Sequence, residues 1–271
     1  MLVLYCTDYF GAQIREDLSI YGVSLKYLGK IEGNTGITIA IIDPNGERTF
    51  YSYRGVNATG KFLNPPLDLF SNQRIFHISG YSFQDEGSRN NLFALMKEAR
   101  KQGASISLDP SYWFSKEYHL LNPNLLLDIN IIFPNKEEAK ILSGINEPIA
   151  ASHALLEMGP EIVIIKLGQE GCYISSKKES YYLPGFQINK VVDTTGAGDA
   201  FCGGFLAGHI LGFSIKDSAK IGNIVASRII GFIGGHKGAL SLKELEDILI
   251  LNNENELAEK ISKERKRLKQ Y

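Results

Sequence analysis

The residues best suited to chemistry lie between Val191 and Leu211, in the stretch VVDTTGAGDAFCGGFLAGHIL. Two valines run into Asp193, Thr194 and Thr195, then Gly196-Ala197-Gly198-Asp199, then small and apolar residues as far as Gly212. This pattern predicts a loop feeding the N-terminus of a helix, with Thr194 or Thr195 placed to cap it and Gly212 to end it. The first turn of a helix carries N–H groups without acceptors and the positive end of the helix dipole, so it binds anions. Gly196 and Gly198, flanking Ala197, let an anion approach the backbone. Asp199 then puts a carboxylate beside a phosphate-shaped hole. There it repels phosphate, unless it takes a proton from a group attacking that phosphate. An acid at the start of an ordinary capped helix is the plainer alternative. Gly203, Gly204 and Gly208 each cost about 1 kcal/mol against alanine inside a helix, which a chain accepts most readily where a backbone or ligand comes very close.

A second pair is Asn135 and Glu138, three apart where an apolar run enters a helical pattern. An amide and a carboxylate at that spacing suit a hydrated Mg2+, which keeps several waters and takes one or two carboxylates. The same spacing also describes a capping box. Leu167-Gly168 through Gly171 is a glycine-bracketed turn able to lie against a nucleotide. An anion hole, a base and a metal carboxylate together make the kit for phosphoryl transfer from ATP to a hydroxyl. Gly55 to Lys61 satisfies GxxxxGK, but Phe62 stands where a P-loop needs Ser or Thr and no helix opens there, so we reject that reading.

The elements that must position these groups follow from periodicity. From Arg74 onward apolar strand patterns (74–78, 105–108, 129–133, 162–166 and 172–174) alternate with helical ones (90–102, 137–142, 150–158, 216–230 and 242–251). Continuous apolar strands separated by helices argue a mainly parallel sheet covered on both faces, a three-layer α/β/α arrangement. Ligands of such sheets sit beyond the strands' C-terminal ends. Tyr81, Asp109, Asn135, Glu138, Gly168 and Asp199 follow such ends and can share one crevice. Before this, residues 2–5 read as a strand and 12–21 as a helix ended by Gly22. Residues 35–42 and 47–54, joined by the turn 43–46, read as a hairpin with Tyr51 and Tyr53 on one face and charges on the other. Such a hairpin is a candidate lid, inserted at about residues 25–57 of a single domain, or a plain edge hairpin. Arg54 and Asn57 at its end, with Tyr81, are candidates to touch a substrate. The charged segment from Asn252 onward reads as a solvated terminal helix.

With 271 residues the chain can bury a large core, and its net charge of −1 argues against a nucleic-acid or anionic-membrane surface as the main partner. Three cysteines without a CxxC pair read as reduced thiols, and the scattered histidines predict no zinc site. Absent a signal peptide or a spanning run, we expect a cytoplasmic protein.

DTTGAGDAFCGGFLAG closely resembles the C-terminal signature of the ribokinase-like (PfkB) family of carbohydrate kinases. FPNKEEAKILSG (133–144) resembles the family's NxxE motif, and IVIIKLGQEGCYI (162–174) its nucleotide-side strand-turn-strand. TDYFGAQIREDLSIYGV (7–23) and TGITIAIIDPNGERTFYSYRGVNA (35–58) resemble the segments that lead into and build its lid. The resemblance implies ATP and Mg2+, a sugar-like substrate, Asp199 as the base, and Gly196, Ala197 and Gly198 as donors to the transferring phosphoryl group. Glu138, with Asn135, would organise Mg2+, and Asp193 matches a residue that helps hold a K+-like ion in several members. Lys166, Gly168 and Gly171 fall in the nucleotide-side segment, and Asn223 and Gly235 match the region flanking the adenine. Lids of this family often pair across a homodimer, a role open to Tyr51 and Tyr53.

Members usually start with a strand, a Gly-Gly loop and a helix, about thirty residues, ahead of the segment matching 2–11. That unit carries the usual substrate-binding Asp and is absent from this sequence, either through an internal start or as a true lack. A nucleoside or vitamin kinase of the same fold, and a truncated nucleotide-binding protein without turnover, are the alternative expectations.

Overall fold

A computed structural model of the chain describes residues 3–42, 48–58, 69–71, 73–188 and 190–268. The turn at 43–46 and the 59–61 end of the GxxxxGK match lie outside the described residues. The chain begins with β1 (Val3–Cys6), α1 (Tyr9–Ile20), β2 (Leu28–Ile31), β3 (Ile37–Ile42) and β4 (Arg48–Tyr53). There follow β5 (Ile75–Ser79), α2 (Glu86–Lys101), β6 (Ser105–Asp109), α3 (Tyr112–Leu121), β7 (Ile131–Ile132), α4 (Lys136–Ser143) and α5 (Pro148–Glu157). The last part holds β8 (Ile162–Lys166), β9 (Cys172–Ser176), β10 (Ser180–Leu183), α6 (Ala197–Ile210), α7 (Ile215–Ile229), α8 (Leu242–Leu251) and α9 (Asn255–Leu268). Two compact units result, Met1–Gln73 with Tyr81–Ala104, and Arg74–Gly80 with Ser105–Tyr271.

In the first unit β1 pairs with β2 in parallel, and β3 pairs with β4 as an antiparallel hairpin. Asp8 caps α1, accepting from the Gly11 N–H (2.8 Å), and also accepts from the backbone N–H (2.7 Å) and hydroxyl (2.6 Å) of Thr35. One carboxylate thus starts the helix and ties it to the chain entering the hairpin. Side chains alternate across a strand, and the register sets Ile37 opposite Tyr53 and Ile39 opposite Tyr51. These four and Ile41 share one face, all exposed. The other face carries Thr38, Ala40 and Ser52, with the two hydroxyls 3.0 Å apart, and Arg48 falls on it by register. Between β1 and α1 a cleft of about 420 Å³ separates Cys6 and Thr7 from Arg15, Glu16 and Leu25.

In the second unit six strands form one sheet in the order β10-β9-β8-β7-β6-β5. The strands β5 to β8 run parallel, and β9 and β10 return antiparallel. One face of the sheet, including Phe133, Ile164 and Ile174, packs on Phe201 and Phe205 of α6. The Phe133 and Phe205 rings meet edge to face at 5.3 Å, the arrangement that aromatic quadrupoles favour. Alternation turns Val163 and Ile165 to the other face, where α5 packs on β8 and β9. The sheet is therefore covered on both sides, as its continuous apolar strands require.

Two glycines of α6 serve helix packing. A Cβ at Gly204 would lie 3.0 Å from the Gly222 Cα, and one at Gly208 3.1 Å from the Ser218 Cα, so α6 and α7 approach backbone to backbone. Gly203 faces open space. The terminal helix α9 is not merely solvated, since Leu257, Ala258 and Ile261 join α7 and α8 in a second core. No described helix is long and apolar enough to cross a membrane.

Candidate functional site

The first turn of α6 is open. Its N-cap is Gly196, at φ +79°, with no side-chain cap. Neither Thr194 nor Thr195 fills that position, because the left-handed turn at Gly196 carries the chain past them into the helix. The first intrahelical bond runs from the Ala200 N–H to the Gly196 carbonyl (2.8 Å). The N–H groups of Gly198 and Asp199 precede it and have no acceptor inside the helix. Val191 and Val192 do not extend as a strand. The N–H groups of Val192 and Asp193 both bond the Ile230 carbonyl, at 2.8 and 3.2 Å, which anchors the loop ahead of α6 to the end of α7.

Asp193 accepts from the Thr195 N–H (2.9 Å) and from the Gly234 N–H (3.1 Å). Its carboxylate therefore joins the loop before α6 to the loop after α7. The two loops also touch at their glycines, where a Cβ on Gly196 would stand 2.6 Å from the Gly235 carbonyl oxygen.

Around this turn gather the ends of the parallel strands. Lys166, the last residue of β8, reaches Asp109, the last residue of β6, with Nζ 2.6 Å from Oδ1. A Cβ at Gly198 would lie 3.3 Å from the same Nζ, so the ammonium rests against the turn that carries Asp199. The Lys166 N–H bonds the Pro134 carbonyl (2.8 Å), holding the start of α4 beside β8. Asn135 and Glu138 form a full capping box there. The Asn135 side chain accepts from the Glu138 N–H (2.9 Å), and Glu138 Oε2 accepts from the Asn135 N–H (2.8 Å).

The electrostatics follow from this crowding. Burial pushes the Glu138 carboxyl up to about 7, against the opposing Asn135 hydrogen bond and the Lys166 charge. Asp199 keeps contact with solvent, yet desolvation raises it above its usual value, with the Asp109 charge adding and Lys166 opposing. Burial works against the Lys166 charge, but Cys202, Asp109 and Glu138 outweigh it and hold the ammonium above its ordinary value.

The residues expected on the nucleotide side form a second group. Gly168 opens a 3-10 turn at φ +62° with free space around its Cα. Gly171 closes that turn at φ +102°, where a Cβ would collide with the Leu183 carbonyl and the Gly185 N–H. Asn223 of α7 donates to the Pro184 carbonyl (3.1 Å) beside that contact. Arg54, Asn57 and Tyr81 belong to the first unit. Arg54 pairs with Asp85 (2.9 Å) and also bonds Gln84, while Asn57 and Tyr81 are exposed.

A triphosphate suits the open turn of α6, since uncapped N–H groups and the Lys166 ammonium face one place. Among the described residues no three His, Cys, Asp or Glu side chains cluster to hold a metal. Glu138 has one carboxylate oxygen committed to its cap, which fits a Mg2+ held mostly by phosphate and water. Sequence reasoning placed Asp109 at a strand end but gave it no partner, because its contact with Lys166 crosses the intervening strand β7. Asp8 carried no signal beyond its type before a helix.

The model of the pfkB family of carbohydrate kinases matches residues 6–239. An uncharacterised sugar kinase of Archaeoglobus fulgidus is 31% identical over 234 residues, covering 86% of this chain and 91% of that protein. The 2-dehydro-3-deoxygluconokinase of Dickeya dadantii is 29% identical over 84% of this chain and 79% of its own length. In fold, the chain resembles an Escherichia coli protein assigned as ribokinase II and solved with ATP and Mg2+, at TM-score 0.80 and 23% identity, over 91% of this chain and 81% of that one. The open helix turn, the strand-end cluster behind it and a family match spanning most of the sequence converge, and the chain belongs to the pfkB family of carbohydrate kinases.

Proposed function

We propose that this kinase transfers the γ-phosphoryl group of ATP to a hydroxyl of a sugar or sugar acid, with Asp199 as the base. The observation that carries this reading is the uncapped first turn of α6 with Asp199 inside it. The substrate hydroxyl gives its proton to the Asp199 carboxylate as its oxygen bonds to the γ-phosphorus, and ADP leaves on the opposite side. The charge on the three transferring oxygens meets the N–H groups of the Gly196–Gly198 turn, the helix dipole and the Lys166 ammonium. Mg2+, when bound, would neutralise the phosphate oxygens, with Glu138 and Asn135 ordering its waters. Gly168, Gly171, Asn223 and Gly235 line the nucleotide side in this reading, and Arg54, Asn57 and Tyr81 contact the substrate. Asp193 is the candidate for a K+-like ion. The apolar face of the β3–β4 hairpin is the candidate surface for a homodimer. Sugar-kinase relatives support the substrate class.

The test is MgATP turnover over a panel of sugars, sugar acids and nucleosides, run in K+ and in Na+. We expect one sugar or sugar acid to turn over, and Asp199→Asn to lower kcat by about 10² to 10⁴ while MgATP still binds. Activity should fall on the acid side as Asp199 takes up a proton, at a pH above the ordinary aspartate range, since its proton affinity is raised. Asp199→Asn at the wild-type rate would remove Asp199 as the base. No turnover of any substrate would remove the kinase reading.

A further inference from the structure

The Asp109–Lys166 pair joins two strands that are not neighbours. In the sheet order β8-β7-β6 it spans the chain that continues β7, whose Phe133 N–H bonds the Leu108 carbonyl and whose Pro134 carbonyl accepts from the Lys166 N–H. Both side chains are shielded, at 14% and 15% exposure, and the contact is 2.6 Å. Shielded pairs of this kind add little to stability over an apolar replacement, so stability alone does not account for one. Its position is more telling, because Nζ lies against Gly198 in the first turn of α6. A lysine side chain has many rotamers and, left free, would extend toward water. Asp109 removes that freedom at the point where a fixed positive charge is useful. The groups around Asp109 are consistent with this service. His77 of β5 is engaged with the Ser107 hydroxyl (2.9 Å), so among the described residues Lys166 is the cation that pairs with Asp109.

Resting on the kinase reading above, we propose that Asp109 is a positioning residue, which holds the Lys166 ammonium beneath Gly198 so that it meets the triphosphate and the transferring phosphoryl group. Asp109 touches neither substrate itself and acts through Lys166. This role and a mere nearby negative charge predict opposite signs. Removing a carboxylate from the edge of an anion site tightens anion binding by simple electrostatics, whereas releasing a positioned lysine weakens it.

The experiment is a double-mutant cycle of Asp109→Asn and Lys166→Met, read by calorimetric binding of inorganic triphosphate and by kcat on the substrate found above. We expect Lys166→Met to weaken triphosphate binding about tenfold and lower kcat about 100-fold, the scale for losing one preorganised charged donor. Asp109→Asn should weaken triphosphate binding and lower kcat about tenfold without changing the KM of the sugar, and should add nothing in the Lys166→Met background. Tighter triphosphate binding by Asp109→Asn, or a loss that adds in full to that of Lys166→Met, overturns the proposal. If Asp109→Asn does not fold, Asp109→Glu displaces the carboxylate by one methylene and keeps its charge. Wild-type binding by that variant overturns the proposal equally, and weakened binding supports it. Coupled triphosphate binding in a protein that phosphorylates nothing fails the kinase reading and upholds this inference. Turnover with uncoupled variants does the reverse.

Discussion

The hairpin of β3 and β4 and the helix α6 are both built from apolar side chains, and the protein treats them in opposite ways. Phe205 is fully buried, while Ile39 and Tyr51 are 60% and 61% exposed. On α6 the apolar residues clamp a helix whose first turn carries the candidate base, so the proposed chemistry stands on a buried layer of its unit. On the hairpin the same residue types face one another across two strands and stay exposed, and an apolar face of this kind marks a binding surface. The contrast teaches that apolar content here reports position only after the partner element is known. In α6 it anchors, and in the hairpin it presents.

The largest effect that can sharpen this comparison is in the core. Phe205→Ala should cost about 3 to 5 kcal/mol in denaturant unfolding, whereas Ile39→Ala should stay within about 0.5 kcal/mol. Equal losses would break the contrast. Next comes Glu138, whose folded-state proton affinity is raised from 4.5 to about 7 by burial. The stability linked to it is complete below the lower value and is lost as pH rises through the higher one. Metal-free protein should therefore be less stable at pH 8 than at pH 5 by up to about 3 kcal/mol from this group. Glu138→Gln should flatten that slope, and a melting series that keeps the slope in the variant would assign it elsewhere. The smallest expected change in stability belongs to Ile39→Ser with Tyr51→Ser. It should leave the melting temperature of the protomer within about 2 °C yet abolish a dimer seen by light scattering. A dimer that survives unchanged would take the hairpin face out of the assembly.

Much of this was legible in the sequence because it rests on local pattern. The strand at 162–166 and the helix at 242–251 stand where their periodicity sets them. The strand expected over 129–133 is regular only at Ile131–Ile132, although the Asn130 N–H still bonds the Ile106 carbonyl and the Phe133 N–H the Leu108 carbonyl. Helix α3 gives little signal in the sequence because Tyr112, Trp113, Phe114 and Tyr118 are indifferent helix formers that dilute Lys116, Glu117 and the two leucines, and tertiary packing of Phe114 and Tyr118 supplies what propensity does not. Helix α2 starts earlier than the periodicity from Asn90 suggests, as Glu86 and Gly87 open a first turn that carries no apolar signal. At the site, Gly196, Gly198 and Asp199 could be read from spacing alone. That Gly196, not a threonine, would cap the helix depended on a backbone angle, and the meeting of Asp109 with Lys166 depended on strand order. Neither is written in any short window of sequence.

The contact between Gly196 and Gly235 has a mechanical consequence. Any side chain at 196 would have to displace the chain at 235, and Asp193 pins the same two loops through the Thr195 and Gly234 N–H groups. The turn at the start of α6 and the loop after α7 are thus joined at two points, the Gly196–Gly235 contact and the Asp193–Gly234 hydrogen bond. Neither can be reshaped alone, so a mutation that retunes one end of the proposed nucleotide cradle is obliged to move the other.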